Sequence, residues 1–335
     1  MYKKIDKSIT YERIYLGASL AILIKAFFEK KNSIIVEQSN YVGGAWKSNS
    51  KKFKNLDLAC HLIVPPSDFD GRKIRGFFKK YSNTTVRKVT KKEFYSDTDR
   101  WKSYGKKGPA MICEQGWPKL LEFFFKKIKK KKNLTFIKNK TVKKIGINNK
   151  FPYMQIDQKK IYAKKIYFPS YFSVKGFFNE KLYLKLPGKK INNVHYIIKL
   201  KCNSNVLNKN FQCFLNKSQK YLFDRVSVSS LSLKNNIIST IVTARLGKTH
   251  KRKIDSINEI TIKKFLLKMG LVNYVYNLEY DVVFYPCFYR DIECRKISKK
   301  NLKTSKGKIE WVNTMYFGHF LSNLIDTQNE NTKNK

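Results

Sequence analysis

Two short apolar runs near the amino end are separated by a glycine and a helical stretch. The segment "RIYLGAS" predicts a buried strand over residues 14–16 that breaks at Gly17, and "SIIVEQS" predicts a second strand. A helix of roughly residues 20–30 lies between them. Continuous apolar strands are typical of parallel strands covered on both faces. Strand, glycine turn, helix and strand in this order indicate a βαβ unit.

Periodicity continues along the rest of the chain. "RKIRGFFKKYS" and "WPKLLEFFFKKIKKKK" predict helices, and "NLTFIKNKTVKKIGI" and "KKIYAKKIYFPS" predict strands, the second closed by Pro169. Residues 171–235 are β-rich, "NNIISTIVTARL" predicts a strand, "SINEITIKKFLLKMGL" a helix, and "YDVVFYPCFY" a strand that ends near Pro286. "MYFGHFLSNLI" predicts a short terminal helix, followed by a frayed polar tail.

The chain has a formal net charge of +46, which ordinarily points to nucleic acid or an anionic membrane surface. Here the charge is spread, and 60 of the 70 basic residues are lysine, whereas base and phosphate recognition favours arginine. Nucleic acid is therefore an unlikely partner. The densest run, residues 126–132, is interpreted as a solvated last helical turn whose cations complement the helix dipole.

The cysteines and the first apolar run indicate which kinds of site and which cellular location to expect. Six cysteines contain no CxxC pair and the four histidines are far apart, so we expect neither a metal site nor a disulfide scaffold, and a cytoplasmic location fits. The apolar stretch 14–28 is shorter than the roughly 20 residues of a membrane span and carries Lys25. It predicts a buried helix, not a transmembrane segment.

The turn after the first strand has features of a dinucleotide site. Gly17 lies where bare backbone and a helix N-terminus can approach a pyrophosphate. Glu37 follows the second strand, 20 residues after Gly17, where a carboxylate can accept hydrogen bonds from ribose hydroxyls, although a solvated strand end is the alternative. Gly43 and Gly44 would let the main chain approach a phosphate or a cofactor tail.

Three separated pieces resemble flavin-dependent amine oxidase and protoporphyrinogen oxidase-like proteins, with UDP-galactopyranose mutase as a relative. They are "YLGASLAIL...SIIVEQSNYVGGAW", "LDLACHLIV", and "WPKLLEFFFKKI...LTFIKNKTVKKI...IYAKKIYFPS". The resemblance implies an FAD site in which Gly17, Ala18 and Ser19 line the phosphates and Glu37 contacts the ribose. Gly43, Gly44 and Ala45 would form the stretch leading toward the flavin ring, and the backbone of Val142 would meet the adenine.

Three further residues near the flavin follow from the same resemblance. Cys60 and His61 would lie near the isoalloxazine ring. For His61, a hydrogen-bonded packing role is favoured over proton transfer. Cys60 next to a flavin would suggest covalent or redox chemistry, but a free buried cysteine is usually only a small hydrophobe. Trp46 would be a core aromatic or a lid over the cofactor, with the core role favoured.

The chain departs from the family pattern at several points. Ser19 and Ile22 replace the second and third glycines of G-x-G-x-x-G, and Ala59 replaces the glycine of the family's Asp-x-Gly-x-His segment. The interval from Gly17 to Glu37 is short for this family, and we find no Gly-Asp segment near the C-terminus to hold the ribityl chain.

The expected fold is α/β: a Rossmann-like FAD-binding domain from discontinuous segments with a second β-rich α+β substrate domain. The segments are 10–60 and 116–170 for the FAD-binding domain, 61–115 for an inserted helical substrate region, 171–235 for a β-rich substrate domain, 236–325 for remaining elements of both, and 326–335 for a disordered tail.

The resemblance predicts a FAD-dependent oxidoreductase that accepts a hydride from a small organic substrate: an amine, a cyclic polyene or a sugar nucleotide. In such enzymes the cofactor carries the chemistry, and beyond His61 no catalytic side chain stands out. One alternative is a catalytically degenerate dinucleotide-binding or scaffold protein. A further alternative is a basic nucleic-acid or membrane-surface binder, and the oligomeric state stays open.

Overall fold

A computed structural model describes residues 11–47, 50–53, 56–58, 62–89, 94–96, 110–148, 151–169, 174–204, 213–215, 222–247, 254–289, 292–312 and 317–333. The chain forms two compact units, each assembled from separate segments. The first unit consists of Met1–Gly44, Leu120–Ile191 and Pro286–Lys335, and the second of Ala45–Lys119 and Asn192–Tyr285. The predicted class, a Rossmann-like α/β domain from discontinuous segments with a β-rich second domain, is confirmed.

Strands and helices are numbered in chain order over the described residues. The strands are β1 Tyr11–Leu16, β2 Ser33–Val36, β3 Val86–Lys88, β4 Phe94–Ser96, β5 Met111–Cys113, β6 Leu134–Ile137, β7 Val142–Asn148, β8 Phe151–Ile156, β9 Lys159–Pro169, β10 Gly176–Asn179, β11 Leu182–Lys185, β12 Lys189–Asn203, β13 Cys213–Leu215, β14 Phe223–Lys234, β15 Ile237–Leu246, β16 Tyr274–Tyr289 and β17 Ile309–Val312. The helices are α1 Leu20–Phe27, α2 Asp68–Ser82, α3 Trp117–Lys129, α4 Glu259–Lys268, α5 Ile292–Lys303 and α6 Phe317–Lys333.

The first unit is organised by a nine-stranded sheet within the described residues. Its parallel part has the order β17-β9-β1-β2-β6, and Ile14 of β1 is in register with Ile34 of β2 and Ile166 of β9. An antiparallel part continues from β9 through β8 to β7. All four residues of β2 are buried, which explains its unbroken apolar sequence.

The second unit contains a six-stranded sheet, β16-β12-β15-β14-β13-β4, and a β3-β5 pair. Helix α4 buries Ile262, Phe265 and Leu266 in the same core as Tyr196 of β12, and Phe265 packs edge-on against Phe223 with ring centroids 5.1 Å apart. In the described part of the chain, no helix is long and apolar enough to cross a membrane.

Two boundaries differ from the sequence-based expectation. β16 runs through Pro286 to Tyr289 instead of ending near the proline, which an edge strand tolerates. The expected frayed tail from residue 326 is wrong, because α6 continues to Lys333. Buried Leu321 and Leu324 anchor its first half, and adding residues to an existing helix is far easier than starting one.

A polar network lies under the C-terminal end of α1. The Glu29 carboxylate, only 3% exposed, accepts hydrogen bonds from Arg13 Nη1 at 2.6 Å and Tyr15 Oη at 2.7 Å, and its other oxygen accepts from the amides of Lys30 and Lys31. Burial alone raises the pKa of Glu29, but the hydrogen bonds from Tyr15 and the Lys31 amide and the charge of Arg13 outweigh it and hold that pKa below its usual range.

One lysine of the basic run at the C-terminal end of α3 has a structural role that the sequence did not indicate. Lys126, Lys127 and Lys129 occupy the last turn of α3, as predicted. Lys131, in contrast, donates from Nζ to the carbonyl oxygens of Phe27, at 2.8 Å, and Glu29. It therefore caps the carbonyl end of α1, where a cation is favoured by the helix dipole.

We expect Glu29→Gln to lower the free energy of unfolding by roughly 2–3 kcal/mol at neutral pH, because it leaves buried donors without a charged acceptor. Because the folded-state pKa is depressed, the contribution of Glu29 is complete above the usual glutamate pKa and is lost as the pH falls through the folded value. Denaturant unfolding at neutral and acidic pH should show the difference between wild type and variant shrinking in acid.

The matched control is Glu293→Gln, which also removes a glutamate paired with a cation, Lys296 at 2.9 Å, on an exposed helix face. This variant should change stability by less than about 0.5 kcal/mol. Equal losses for the two variants would contradict the structural role of the Glu29 network.

Candidate functional site

The turn between β1 and α1 is shaped by Gly17. Its φ of +77° lies in the region that favours glycine, and its amide donates to the carbonyl oxygen of Val36 at 2.7 Å. Ser19 then caps α1: its Oγ accepts from the Ile22 amide at 3.4 Å and its carbonyl from the Leu23 amide at 2.9 Å. The remaining first-turn amides of an α-helix have no acceptor inside the helix, so this end can receive an anion.

Ser19, which departs from the glycine pattern, is compatible with this turn. Its φ of −68° and ψ of 159° are values that any L-residue adopts. Its hydroxyl is turned toward the helix it caps. The side chain of Ile22, which replaces the third glycine, is fully buried. Neither departure distorts the turn.

Glu37 connects the ends of β1 and β2. Its Oε2 accepts from the Ala18 amide at 2.7 Å and its Oε1 from the Ser39 amide at 2.8 Å. Burial, the largest effect, raises the pKa of Glu37 above its usual value, and the two amides only partly offset it. Glu37 is therefore not a solvated strand end, and further donors to its carboxylate would favour the ionised form.

The glycine pair folds back onto the Gly17 turn. Gly43 has φ +104° and Gly44 φ +55°, and the Gly43 amide donates to the Ala18 carbonyl at 2.9 Å. A Cβ atom on Gly43 would lie 2.2 Å from Cδ1 of Leu121, which is completely buried. Glycine is thus required at position 43 both by backbone conformation and by the lack of space.

Val142 begins β7 just after a segment that contacts Glu37. The Glu37 amide donates to the carbonyl oxygen of Ile137 at 2.8 Å, and the Lys140 amide donates to the carbonyl oxygen of Glu37 at 3.2 Å. The structure therefore brings Gly17, Ala18, Ser19, Glu37, Gly43, Gly44 and the segment leading to Val142 together in the first unit.

The other predicted site residues are placed differently. Ala45 and Trp46 belong to a one-turn helix, Gly44–Trp46, and are assigned with the second unit. Trp46 is partly buried and packs edge-on against Trp117 with ring centroids 5.2 Å apart, and its role as a core aromatic or a lid stays a prediction. Cys60 and His61 lie outside the described residues, and their roles stay predictions.

Two contributors to the site escaped the sequence analysis. Ser39 supplies an amide to Glu37, and Asn139 donates its own amide to the Ser39 carbonyl at 3.3 Å. Asn139 has φ +57°, a conformation that asparagine tolerates better than most residues. The Asn at the end of "TFIKN" was an available turn signal.

No protein-family model and no curated protein matches this sequence. Solved structures do match. A protein from Exiguobacterium sp. 255-15 that carries the assignment protoporphyrinogen oxidase has a TM-score of 0.57 at 8% identity, over 94% of this chain and 96% of its own. Putrescine oxidase with putrescine bound has a TM-score of 0.55 at 8% identity, over 98% of this chain and 100% of its own.

An oxidoreductase from Methanosarcina mazei has a TM-score of 0.53 at 11% identity, over 80% of this chain and 87% of its own. Likeness at these identities shows the fold alone. The chain therefore has the fold of the amine oxidase and protoporphyrinogen oxidase structures, as the sequence resemblance implied. The expected likeness to UDP-galactopyranose mutase stays a prediction.

We expect Gly43→Ala to destabilise the protein by roughly 3 kcal/mol, because it combines backbone strain with a clash in a closed site. Denaturant unfolding measures the loss. Gly270→Ala is the matched control: its φ is +64°, but nothing lies within 4 Å of the added methyl group, so it should cost only about 1 kcal/mol. If the two variants lose equal stability, the close contact of Gly43 with Leu121 is wrong.

Proposed function

We propose that the first unit binds FAD and that the protein is a FAD-dependent oxidoreductase acting on a small organic substrate. One observation carries the proposal: a buried carboxylate, Glu37, bonded to the amide of Ala18 at the start of a glycine turn that leads into a helix N-terminus. The fold shared with known oxidases supports it. FAD, when bound, would supply the hydride acceptor.

The residues present fit the adenosine and diphosphate of this cofactor. The Glu37 carboxylate accepts hydrogen bonds from the Ala18 and Ser39 amides, and the Ser39 side chain and the Gln38 amide also act on it as donors. A ribose hydroxyl would donate to this carboxylate in place of the Ser39 side chain, which can turn away. The first-turn amides of α1 and the positive end of its dipole would hold the diphosphate. The Ser19 hydroxyl, turned toward Ile22, leaves the main chain as the contacting surface.

The charge of the chain separates the possible substrate classes. A net charge of +46 attracts anions and repels cations at long range. A substrate that carries a diphosphate or carboxylates, such as a sugar nucleotide or an acidic cyclic polyene, is therefore favoured over a diamine such as putrescine. The protein would bind the substrate and orient it against the flavin ring. Because the cofactor carries the chemistry, this positioning matters more than an acid or base side chain.

The degenerate-protein alternative has its own support. The glycine pattern keeps only Gly17, because Ser19 and Ile22 stand where the pattern has its second and third glycines. A protein of this kind would still bind the nucleotide but would not turn over. The two candidates separate on whether a bound flavin is reduced when amines, acidic cyclic polyenes and sugar nucleotides are added without oxygen. If any of these compounds bleaches the flavin absorbance, the protein is an enzyme. If none of the three does, the scaffold candidate is supported.

Glu37→Gln should weaken FAD binding about 10- to 100-fold, because the amide accepts through one oxygen only and presents donors where the carboxylate accepts. FMN, which lacks the adenosine, should bind the variant and the wild type equally within about twofold, since Glu37 is assigned to the ribose. Titrations followed by flavin fluorescence give both dissociation constants.

The control for this prediction is Glu29→Gln, the same replacement at the opposite end of α1. It should lower stability without changing the ratio of FAD to FMN affinity. If Glu37→Gln weakens FAD and FMN alike, Glu37 is only a structural tie between the two strand ends, and its assignment to the ribose fails.

A further inference from the structure

Helix α4 exposes apolar side chains on the side that faces away from its core. Its inner face buries Ile262, Phe265 and Leu266. On the outer face, Ile260 is 63% exposed and Leu267 is 37% exposed. These two residues are seven apart, so they lie on one stripe of the helix, where polar side chains are the rule.

Two exposed tyrosines extend this stripe onto the neighbouring strand. Tyr274 and Tyr276, at the start of β16, are 55% and 54% exposed, and their rings are edge-on with centroids 4.9 Å apart. Lys263 Nζ lies 5.6 Å from the centroid of the Tyr274 ring, which places the helix and the strand next to each other. We name Ile260, Lys263, Lys264, Leu267, Tyr274 and Tyr276 the outer patch.

The outer patch combines apolar, aromatic and cationic side chains. Lys264 lies between Ile260 and Leu267 on the exposed stripe, and Lys268 follows in the last turn. Further along β16, Glu279 is already paired with Lys199 at 2.8 Å and with Lys52 at 2.6 Å. Glu259, in the first turn of α4, is an exposed acidic neighbour, but Lys263, Lys264 and Lys268 outnumber it. The charge around the patch is thus positive, and its apolar groups lie among the cations.

We propose that the outer patch docks the protein on the surface of an anionic lipid bilayer. Lysines near such a surface are attracted to acidic headgroups, tyrosines prefer the interface, and exposed Ile and Leu side chains enter the region where headgroups meet acyl chains. A single-stranded nucleic acid would use the tyrosines and lysines but would gain nothing from Ile260 and Leu267. The proposal concerns the second unit and does not depend on flavin binding.

Co-sedimentation of the full chain with vesicles tests this proposal. Vesicles of phosphatidylcholine alone are compared with vesicles containing about one-third phosphatidylserine, a strongly anionic surface. We expect binding to the anionic vesicles only. Lys263→Gln with Lys264→Gln should weaken it about 25-fold, about fivefold for each lysine. Ile260→Ser with Leu267→Ser should weaken it about tenfold or more.

Matched controls separate the patch from the diffuse charge of the chain. Lys299→Gln with Lys300→Gln removes the same charge from adjacent exposed positions on α5, and Leu182→Ser removes a side chain that is also 63% exposed. Both should change vesicle affinity by less than about twofold. Unfolding curves that match the wild type show that the surface variants are folded.

Three results would overturn the proposal. The first is no binding to anionic vesicles, and the second is an equal loss in the control lysine pair, which would assign binding to net charge. The third has two parts. Vesicle binding survives in the double variant Ile260→Ser with Leu267→Ser, and the protein binds a single-stranded oligonucleotide that the double variant Tyr274→Ser with Tyr276→Ser no longer binds. That last result would assign the patch to nucleic acid.

Discussion

The hydrogen bonds of the Glu37 carboxylate are the constraint on which the candidate site depends. A buried carboxylate must be met by donors, and here the donors are main-chain amides of Ala18 and Ser39. They join the turn after β1 to the turn after β2, so the two loops at this edge of the parallel sheet have one fixed geometry. The glycine segment is tied to the same turn, because the Gly43 amide donates to the Ala18 carbonyl.

Helix α1 is held at both ends, which matters because it has only eight residues and short helices are marginal without tertiary support. Ser19 caps its first turn, and Lys131 binds the carbonyls at its end. The Glu29 network fixes the chain that leaves the helix toward β2. The amides at its N-terminus are thereby presented in a fixed direction, which is what binding of a diphosphate requires.

Local sequence predicted the elements that are defined by local physics. Apolar runs identified β1 and β2. Gly17 marked the turn because glycine adopts a positive φ without the strain that other residues incur, and the spacing identified Glu37 as the acidic residue at the next strand end. The partners of these residues could not be predicted, because Lys131, Leu121 and Asn139 lie roughly 80 to 100 residues further along the chain and their contacts are set by the folded sheet. The length of α6 was missed because its polar half carries no helical periodicity of its own.

We propose that this edge of the first unit binds the adenine nucleotide of FAD. The decisive experiment is the visible absorbance spectrum of the purified protein, followed by chromatography of the small molecule that denaturation releases. We expect the absorbance of an oxidised flavin and release of FAD, or full reconstitution of a colourless preparation by added FAD. A folded, monodisperse protein that is colourless and that FAD cannot reconstitute would show that this edge does not bind the cofactor.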